Sequence, residues 1–289
     1  MRWPFRNMQV IRDLQDMQDL ALAWRGRGET IVLVPTMGYF HQGHLSLMEY
    51  GRSRGDHLVV SIFVNPTQFG PQEDLDRYPR DFDRDCSLAR EVGVDVIFAP
   101  DTTGMYPPGF QTFVTVEEVT RGLCGASRPI HFRGVATVVL KLFNLVQPQV
   151  AVFGEKDYQQ LVTLQQLVTD LNLPVQVVGR PLVREADGLA LSSRNVFLSP
   201  AERASALSLS QALFKARDLA ANGERSRDRL FTALKPMFTC DPPINLDYLA
   251  LVDSQTLKEI DTIHGPARLA VAAWVGQTRL IDNILLEVP

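Results

Sequence analysis

The chain lacks the features that mark several large classes of protein. It has three cysteines in 289 residues, Cys86, Cys124 and Cys240, and no C-x-x-C spacing. A disulfide framework or a thiolate zinc site is therefore not expected. No run approaches the roughly 18 consecutive apolar residues that a membrane span needs. Residues 1–7 carry positive charge but no apolar run follows them, so we expect a short flexible leader rather than a secretory signal, and a cytoplasmic protein.

Basic charge is also scarce. Lys and Arg number 29 against 33 Asp and Glu, and the formal net charge is −4. Broad binding to nucleic acid depends on the neutralisation of phosphates by Lys and Arg, so we expect no nucleic-acid partner. This balance still allows a local basic pocket for a single nucleotide.

The common nucleotide and zinc motifs are missing as well. The sequence contains no G-x-x-x-x-G-K-[ST] loop and no H-E-x-x-H, and no G-x-G-x-x-G follows its first predicted buried strand. A Walker-type site, a dinucleotide fingerprint and a zincin site are excluded on this ground.

Short apolar segments alternate with helical patterns over the first part of the chain. Continuous apolar runs are typical of parallel strands that are covered on both faces. Alternation of strand and helix favours an α/β fold with an open parallel sheet of Rossmann type. We predict strands at 31–36, 57–64, 94–98, 149–153 and 175–179, and helices at 14–24, 82–92, 135–146 and 158–171.

The pattern changes between residues 180 and 200. A long helical stretch at 201–221 is followed by a polar segment at 222–228. Three strands are then predicted, at 246–252, 268–275 and 278–286, the last two joined by a tight turn at 276–277. We therefore predict a Rossmann-like domain at 1–184 and a smaller C-terminal α+β domain at 185–289.

The turn after the first buried strand carries two histidines. His41 and His44 lie in the stretch P-T-M-G-Y-F-H-Q-G-H, flanked by Gly38 and Gly43. A helix that begins near Gly43 would direct its free N–H groups at this turn, where a phosphate would bind. An imidazole can donate a hydrogen bond to a phosphoryl group or, as a cation, neutralise it. The alternatives are a structural pair or a metal site, but two histidines make an incomplete zinc site.

Two further segments place polar side chains at predicted strand ends. Asn65 and Gln68 follow the second strand, and Lys156, Asp157 and Gln160 lie where a strand gives way to a helix. Ligands bind at this edge of open α/β sheets. Amides can bind substrate hydroxyl and carboxylate groups, and a lysine can reach phosphate oxygens. An ordinary turn and an ordinary helix cap are the alternatives.

A fourth segment, R-E-A-D-G-L-A-L-S-S-R-N, lies between the two predicted domains. Its Ser192, Ser193 and Arg194 form a polar and cationic loop that could close on a triphosphate. A solvated linker is the alternative.

Together, and in this order, the four segments resemble the pantothenate synthetase (pantoate–β-alanine ligase) family, and the resemblance runs from about Met8 to near the end of the chain. H-x-G-H on a Rossmann-like sheet is also the mark of the nucleotidyltransferase superfamily. The resemblance implies a two-step ligase reaction on the route to coenzyme A. ATP, with Mg²⁺, and (R)-pantoate would give pantoyl adenylate and diphosphate, and the amine of β-alanine would then give pantothenate and AMP. It also implies a homodimer.

The resemblance implies roles by position. His41 and His44 would contact ATP phosphates, with His44 as the proton donor, and Lys156 and Arg194 would join them as catalytic groups. The ATP site would comprise Met37, Gly38, His41, Gly43, His44, Gly154, Lys156, Asp157, Val183, Ser192, Ser193 and Arg194. Pantoate and β-alanine would be bound by Gln68, Gln160, Asn65 and Arg128, and Asp85 would be the acidic residue on the magnesium side.

Two positions depart from the family's pattern. Gln42 stands where relatives more often carry Glu or Asp, and Phe40 replaces a usual leucine. Because an acyl adenylate hydrolyses easily, a lid is expected, and the segments 69–78 and 185–195 are candidates. The alternatives are a nucleotidyltransferase of the same superfamily that leaves AMP or CMP on its product, and an RNA-binding relative of a tRNA synthetase domain.

Overall fold

The computed structural model of the chain describes residues 8–71 and 73–287. The leader expected at residues 1–7 lies outside these ranges. The described residues form two compact units. The first comprises the residues up to Glu117, with Arg128–Glu155 and Gln160–Pro181. The second comprises Glu118–Ser127, Lys156–Gln159 and the residues from Leu182 onward. It therefore contains two short segments from the N-terminal part of the chain in addition to the C-terminal part that the sequence suggested.

A six-stranded parallel sheet organises the first unit. Its strands are β1 Gln9–Ile11, β2 Ile31–Thr36, β3 His57–Ile62, β4 Val96–Phe98, β5 Val150–Gly154 and β6 Gln176–Arg180. Their order across the sheet is β1-β4-β3-β2-β5-β6, and every neighbouring pair is parallel. This confirms the predicted Rossmann-like α/β sheet. β1 was not predicted, because three residues are too few to show a hydrophobic period.

The helices up to residue 170 follow local signals to differing degrees. They are α1 Leu14–Gly26, α2 Gln42–Arg52, α3 Phe82–Val92, α4 Thr102–Met105, α5 Cys124–Ser127, α6 His131–Val146 and α7 Tyr158–Asp170. The predicted bounds of α3 are confirmed, since Asp81 caps its start and Gly93 ends it at a φ of 82°. α6 begins four residues earlier than predicted, because its N-cap residue, Ile130, makes no side-chain capping bond and leaves no start signal.

Burial on both faces explains the composition of the central strands. Residues 31–34 of β2 and 58–61 of β3 are all buried, as are the three residues of β4. Each buried Val, Ile or Leu side chain contributes roughly 1.5–3 kcal/mol relative to exposure. This core makes the carboxyl ends of the strands a fixed edge on which side chains can be held in place.

The second unit contains the elements α8 Pro200–Ala221, α9 Arg227–Leu234, β7 Ile244–Asp253, β8 Ala267–Val275 and β9 Thr278–Leu286. The three strands form an antiparallel sheet in the order β7-β8-β9. α8 begins at a capping box of Ser199 and Glu202. α9 was not predicted, because its charged residues mask the two side chains that it buries, Leu230 and Leu234.

Among the residues that the structure describes, no helix combines the length and apolar character required to cross a membrane.

Candidate active site

The strand order defines where a ligand would bind in the first unit. From β2 the chain adds β3 and β4 on one side and later β5 and β6 on the other. Open α/β sheets bind ligands outside the carboxyl ends of the strands at such a switch point. Three of the four motif segments follow β2, β3 and β5, so they converge on the edge that the topology selects.

The turn after β2 has an unusual backbone. Gly38 and Tyr39 both have positive φ, 85° and 53°. A non-glycine residue adopts this conformation only when its surroundings enforce it. Here the carboxylate of Asp85 enforces it, because one oxygen accepts the N–H of Tyr39 at 2.6 Å and the other accepts the N–H of Phe40 at 2.7 Å. Asp85 on α3 therefore holds the turn that leads to His41.

Asp85 is tightly enclosed at this position. Its side chain is 1% exposed, and burial raises its pKa although the N–H groups of Phe40 and Tyr39 act in the opposite direction. Each oxygen of this carboxylate accepts one short backbone bond and keeps one lone pair, which is the capacity left for a further partner. Among the described residues, no group of three or more His, Cys, Asp or Glu side chains could hold a metal. The magnesium-side role of Asp85 stays a prediction.

The two histidines cap α2. His41 is the N-cap residue, and its Nδ1 accepts the N–H of Gly43 at 3.1 Å. His44 lies at the third helical position, and its Nδ1 accepts the N–H of His41 at 3.3 Å. The rings stack with centroids 4.0 Å apart. The helix start predicted near Gly43 is thus confirmed, and the pair forms a capping box made of imidazoles.

These capping bonds determine the tautomer of both rings. A backbone N–H can only donate, so Nδ1 of His41 and of His44 must be unprotonated. In a neutral ring the proton is then on Nε2, which is a donor. The arrangement supplies two Nε2–H donors at the positive end of a helix dipole, which is suited to an anionic ligand. It favours neutral donors over the cationic role that the sequence left open.

The segment after β3 forms a hydrogen-bonded amide pair. Asn65 is 1% exposed, and its Nδ2 donates to Oε1 of Gln68 and to the carbonyl of Gly134, each at 3.1 Å. Nε2 of Gln68 lies 3.4 Å from Sδ of Met37, which follows β2. Gln68 and Met37, both expected at the site, are therefore in contact. Asn65 lies behind Gln68 and uses its own polar atoms within the protein.

Gly134 on α6 sits against this segment. A Cβ on Gly134 would lie 2.4 Å from the carbonyl oxygen of Thr67 and 2.6 Å from the amide nitrogen of Gln68. Only glycine permits this approach of helix and turn. The carbonyl of Gln68 also accepts from Nδ1 of His131, at 3.0 Å. The backbone of Gln68 is consequently fixed from the α6 side.

Arg128, expected near β-alanine, makes an ion pair in the structure. Its guanidinium donates to both carboxylate oxygens of Glu73, at 2.8 and 2.5 Å, and to the carbonyl of Gln68 at 3.2 Å. Burial opposes ionisation of Glu73, but the hydrogen bond and charge of Arg128 outweigh it and lower the pKa of Glu73. Arg128 is thus joined to Glu73 in the segment 69–78 and to the backbone of Gln68.

The other expected residues of the first unit occupy the same edge of the sheet. Gly43 is in the first turn of α2, Gly154 ends β5, and Gln160 is the third residue of α7. Of the two positions that depart from the family's pattern, Gln42 is exposed at the start of α2. Phe40 is 1% exposed and packs in the hydrophobic core.

The remaining expected residues belong to the second unit. Nζ of Lys156 lies 3.6 Å from a carboxylate oxygen of Asp157, and its carbonyl accepts from Asn283 at 3.0 Å. The carbonyl of Val183 accepts the N–H of Leu191. The segment expected to be a loop is a 3-10 helix, Ser193–Phe197, that Ser192 caps by accepting the N–H of Arg194.

Sequence reasoning missed Tyr106, Gly134 and the contact of Asp85 with the turn. Tyr106 donates to Oδ1 of Asn65 at 2.8 Å, across 41 positions of sequence. No local pattern signals such a contact. Gly134 directly precedes the apolar stretch 135–146, and a glycine at such a position can mark a close approach of the backbone.

The fold and the site define a class of protein first. A parallel Rossmann-like sheet, with an H-x-G-H sequence that caps the helix after β2, places the chain in the H-x-G-H nucleotidyltransferase superfamily. Residues 9–285 match the family described as Pantoate-beta-alanine ligase. The chain belongs to this family. It is an enzyme, a ligase that joins pantoate and β-alanine.

Individual relatives agree with this assignment. The chain is 55% identical to pantothenate synthetase of Syntrophus aciditrophicus over 96% of each chain, and 56% identical to that of Syntrophotalea carbinolica over 97% of this chain and 100% of the other. The crystal structure of pantothenate synthetase from Thermus thermophilus superposes with a TM-score of 0.91 at 47% identity, covering 96% of this chain and 99% of that one.

A ligand-bound relative is also similar. Pantoate-β-alanine ligase from Francisella tularensis, complexed with beta-gamma ATP and β-alanine, has a TM-score of 0.80 and 31% identity, covering 96% of this chain and 97% of that one. The family match favours a ligase over the nucleotidyltransferase and the RNA-binding relative.

Proposed function

We propose that the enzyme uses ATP to condense (R)-pantoate with β-alanine, through a pantoyl-adenylate intermediate. In the first step a carboxylate oxygen of pantoate attacks the α-phosphorus, and the bond to diphosphate breaks. In the second step the amine of β-alanine attacks the acyl carbon, loses a proton and releases AMP. The observation that carries the proposal is the pair of Nε2–H donors that His41 and His44 present at the start of α2.

Charge explains why these donors matter. Both reactants of the first step are anionic, and negative charge grows on the diphosphate as it leaves. Fixed donors directed at developing charge are worth about 10²–10³ in rate each. The helix dipole adds to them at the same end. We assign His44 as the principal donor to the phosphates and His41 as its partner, with Gly38 and Gly43 as the flanking glycines of the same turn. No protein nucleophile is needed.

Recognition of the acid is assigned to the amides. Gln68, with Nε2 beside Met37, and Gln160 at the start of α7 would bind pantoate. Asn65 would orient Gln68 through their hydrogen bond. Arg128 would bind β-alanine once it releases Glu73. The Francisella ligase complexed with beta-gamma ATP and β-alanine supports the binding of β-alanine in the family.

The resemblance of the motifs assigns further residues to the handling of ATP. Lys156 and Arg194 are cations that can neutralise phosphate charge, and the hydroxyls of Ser192 and Ser193 can donate to phosphate oxygens. Asp157, Gly154 and the backbone of Val183 are assigned to the adenosine part. These assignments rest on the resemblance of the motifs.

Magnesium enters the proposal as part of the nucleotide substrate. Mg²⁺ keeps several waters and is commonly held by substrate phosphates with few protein ligands, so it needs no cage of side chains. No step is assigned to it.

The deciding experiment is an AMP-release assay with ATP, Mg²⁺, pantoate and β-alanine, from which each component is omitted in turn. AMP should form only when all four are present, while diphosphate should appear in a single turnover without β-alanine. Failure to form diphosphate without β-alanine, or retention of the nucleotide on the product, would refute the proposed order of steps.

Two further properties complete the proposal. We assign the cytoplasm as location, which the sequence leads us to expect, and a homodimer as assembly, which the family resemblance implies. Sedimentation equilibrium at micromolar concentration should give twice the chain mass of 32.3 kDa, and a mass of one chain would reject the dimer.

A further inference from the structure

The amide of Asn65 is oriented by groups that cannot exchange roles. Its Oδ1 accepts the backbone N–H of Thr67 at 3.3 Å, and its Nδ2 donates to the backbone carbonyl of Gly134 at 3.1 Å. A backbone N–H only donates and a carbonyl only accepts, so a flipped amide would lose both bonds. The orientation of Asn65 is therefore determined by its surroundings.

The orientation of the Asn65 amide determines the orientation of the Gln68 amide. The second N–H of the Asn65 amide meets Gln68 at 3.1 Å, and only Oε1 of Gln68 can accept it. Gln68 must then direct Nε2 away from Asn65, toward Sδ of Met37. A thioether is a weak acceptor, so Nε2–H₂ keeps donor capacity for a ligand. Gln68 consequently offers a donor, and its ligand must bring an acceptor oxygen.

Tyr106 makes the shortest bond to Asn65. Its hydroxyl donates to Oδ1 at 2.8 Å, and the same oxygen accepts the hydroxyl of Thr67 at 2.9 Å and the backbone N–H of Thr67 at 3.3 Å. The ring is half-buried and packs edge-on against Phe110, with ring centroids 5.0 Å apart. The hydroxyl is thus held where it reinforces the orientation of Asn65, and Tyr106 is linked to Gln68 through Asn65.

We propose that Tyr106 is a positioning residue for substrate recognition, which acts through Asn65 to keep Gln68 in the orientation that donates to an acceptor oxygen of the acid substrate. This rests on the proposed function, in which Gln68 binds pantoate. Loss of the Tyr106 hydroxyl removes the shortest of the three bonds that Oδ1 of Asn65 accepts and leaves only those from Thr67. The Asn65–Gln68 pair then has more freedom to reorient, and the donor is presented for less of the time.

The test measures KM for pantoate, KM for ATP and kcat in Tyr106→Phe. We expect KM for pantoate to rise roughly 3- to 10-fold, the range of one net hydrogen bond, with kcat and KM for ATP within about 1.5-fold. The matched control is Tyr50→Phe, which removes a hydroxyl from a ring that packs against Arg180 and should change none of the three. An unchanged KM for pantoate, or an equal loss in all three parameters together with a lower melting temperature, overturns the proposal.

A second pair of variants separates this inference from the function on which it rests. Gln68→Met removes the donor at similar length, and Tyr106→Phe should have no further effect in that background, because the two act on one interaction. If Gln68→Met leaves KM for pantoate unchanged, the assignment of Gln68 to pantoate fails and the role of Tyr106 fails with it. If Gln68→Met raises KM but the double variant is additive, Tyr106 acts by another route and only the inference is overturned.

Discussion

Replacement of Asp85 by asparagine tests the link between the turn after β2 and catalysis. The carboxylate accepts the N–H groups of Tyr39 and Phe40 on separate oxygens. Asparagine has one acceptor oxygen, so one of these N–H groups would face an NH₂ group. A buried donor left without a partner costs about 1–3 kcal/mol, and the positive φ of Tyr39 would lose part of its restraint.

The expected consequence is larger for activity than for stability. Burial of the charged carboxylate of Asp85 is unfavourable, which is why its pKa is raised, and a neutral amide does not carry this cost. The free energy of unfolding should therefore fall by only about 1 kcal/mol, the lower end of the range for an unsatisfied donor. If the substitution destabilises the competent form of the turn by about 2 kcal/mol relative to its other conformations, kcat/KM for adenylation should fall by roughly 30-fold.

The assay is single-turnover formation of pantoyl adenylate over a series of Mg²⁺ concentrations, combined with urea unfolding. Asp83→Asn is the matched control, since Asp83 is exposed in the same first turn of α3 and should leave both measurements unchanged. In Asp85→Asn the magnesium concentration for half-maximal rate should stay at the wild-type value. Full recovery of the rate at high Mg²⁺ would refute the reasoning and return Asp85 to the magnesium site.

Three other predictions follow from the site and its support. His44→Ala should lower the adenylation rate by at least about 10²-fold in a single-turnover assay, and a wild-type rate would remove His44 from its role. Lys156→Ala should weaken ATP binding measured by calorimetry, whereas unchanged binding and turnover would contradict its assignment. Gly134→Ala should destabilise the protein by about 1–3 kcal/mol in urea, because its Cβ would meet the carbonyl of Thr67 at 2.4 Å, and an unaffected midpoint would show that α6 can move aside.

A prediction of pH dependence concerns Glu29. Arg27, and after it His57, hydrogen-bond its carboxylate and lower its pKa from 4.5 to about 2. A depressed folded-state pKa contributes stability that is present above pH 4.5 and lost as the pH falls toward 2. The urea midpoint of the wild type should therefore decline more than that of Glu29→Gln over this interval. Parallel curves would show that the carboxylate is not stabilised in the folded state.

The parts of the fold that the sequence predicts are those with local causes. β2 and α3 have their predicted bounds, because an uninterrupted β-branched run marks the strand, and Asp81 and Gly93 mark the ends of the helix. α9 buries only Leu230 and Leu234 within a charged segment, so periodicity is too weak to reveal it. Three-residue strands such as β1 depend on pairing with β4, which is distant in sequence.

The candidate site divides in the same way. The motif residues His41, His44 and Gln68 are recognisable from the sequence because their neighbours form recurring patterns. Their supports are not recognisable. Phe40 and Asp85 are 45 positions apart, and Asn65 and Tyr106 are 41 apart, so only the folded chain brings them together. Hydrogen-bond partners decide the tautomer of a histidine and the orientation of an amide, and those partners come from tertiary structure.

Because His41 and His44 form the capping box of α2, their proposed role in catalysis depends on the first turn of that helix being folded. The first turn of a helix is among the places where a folded protein opens most easily. When the start of α2 opens, His41 and His44 lose the N–H bonds that fix their tautomers, and the proposed phosphate site loses its donors even though the sheet stays intact. On warming, the enzyme should therefore lose activity at a lower temperature than that at which it unfolds. ATP, which would bind only the form with a closed helix end, should raise the temperature at which activity is lost.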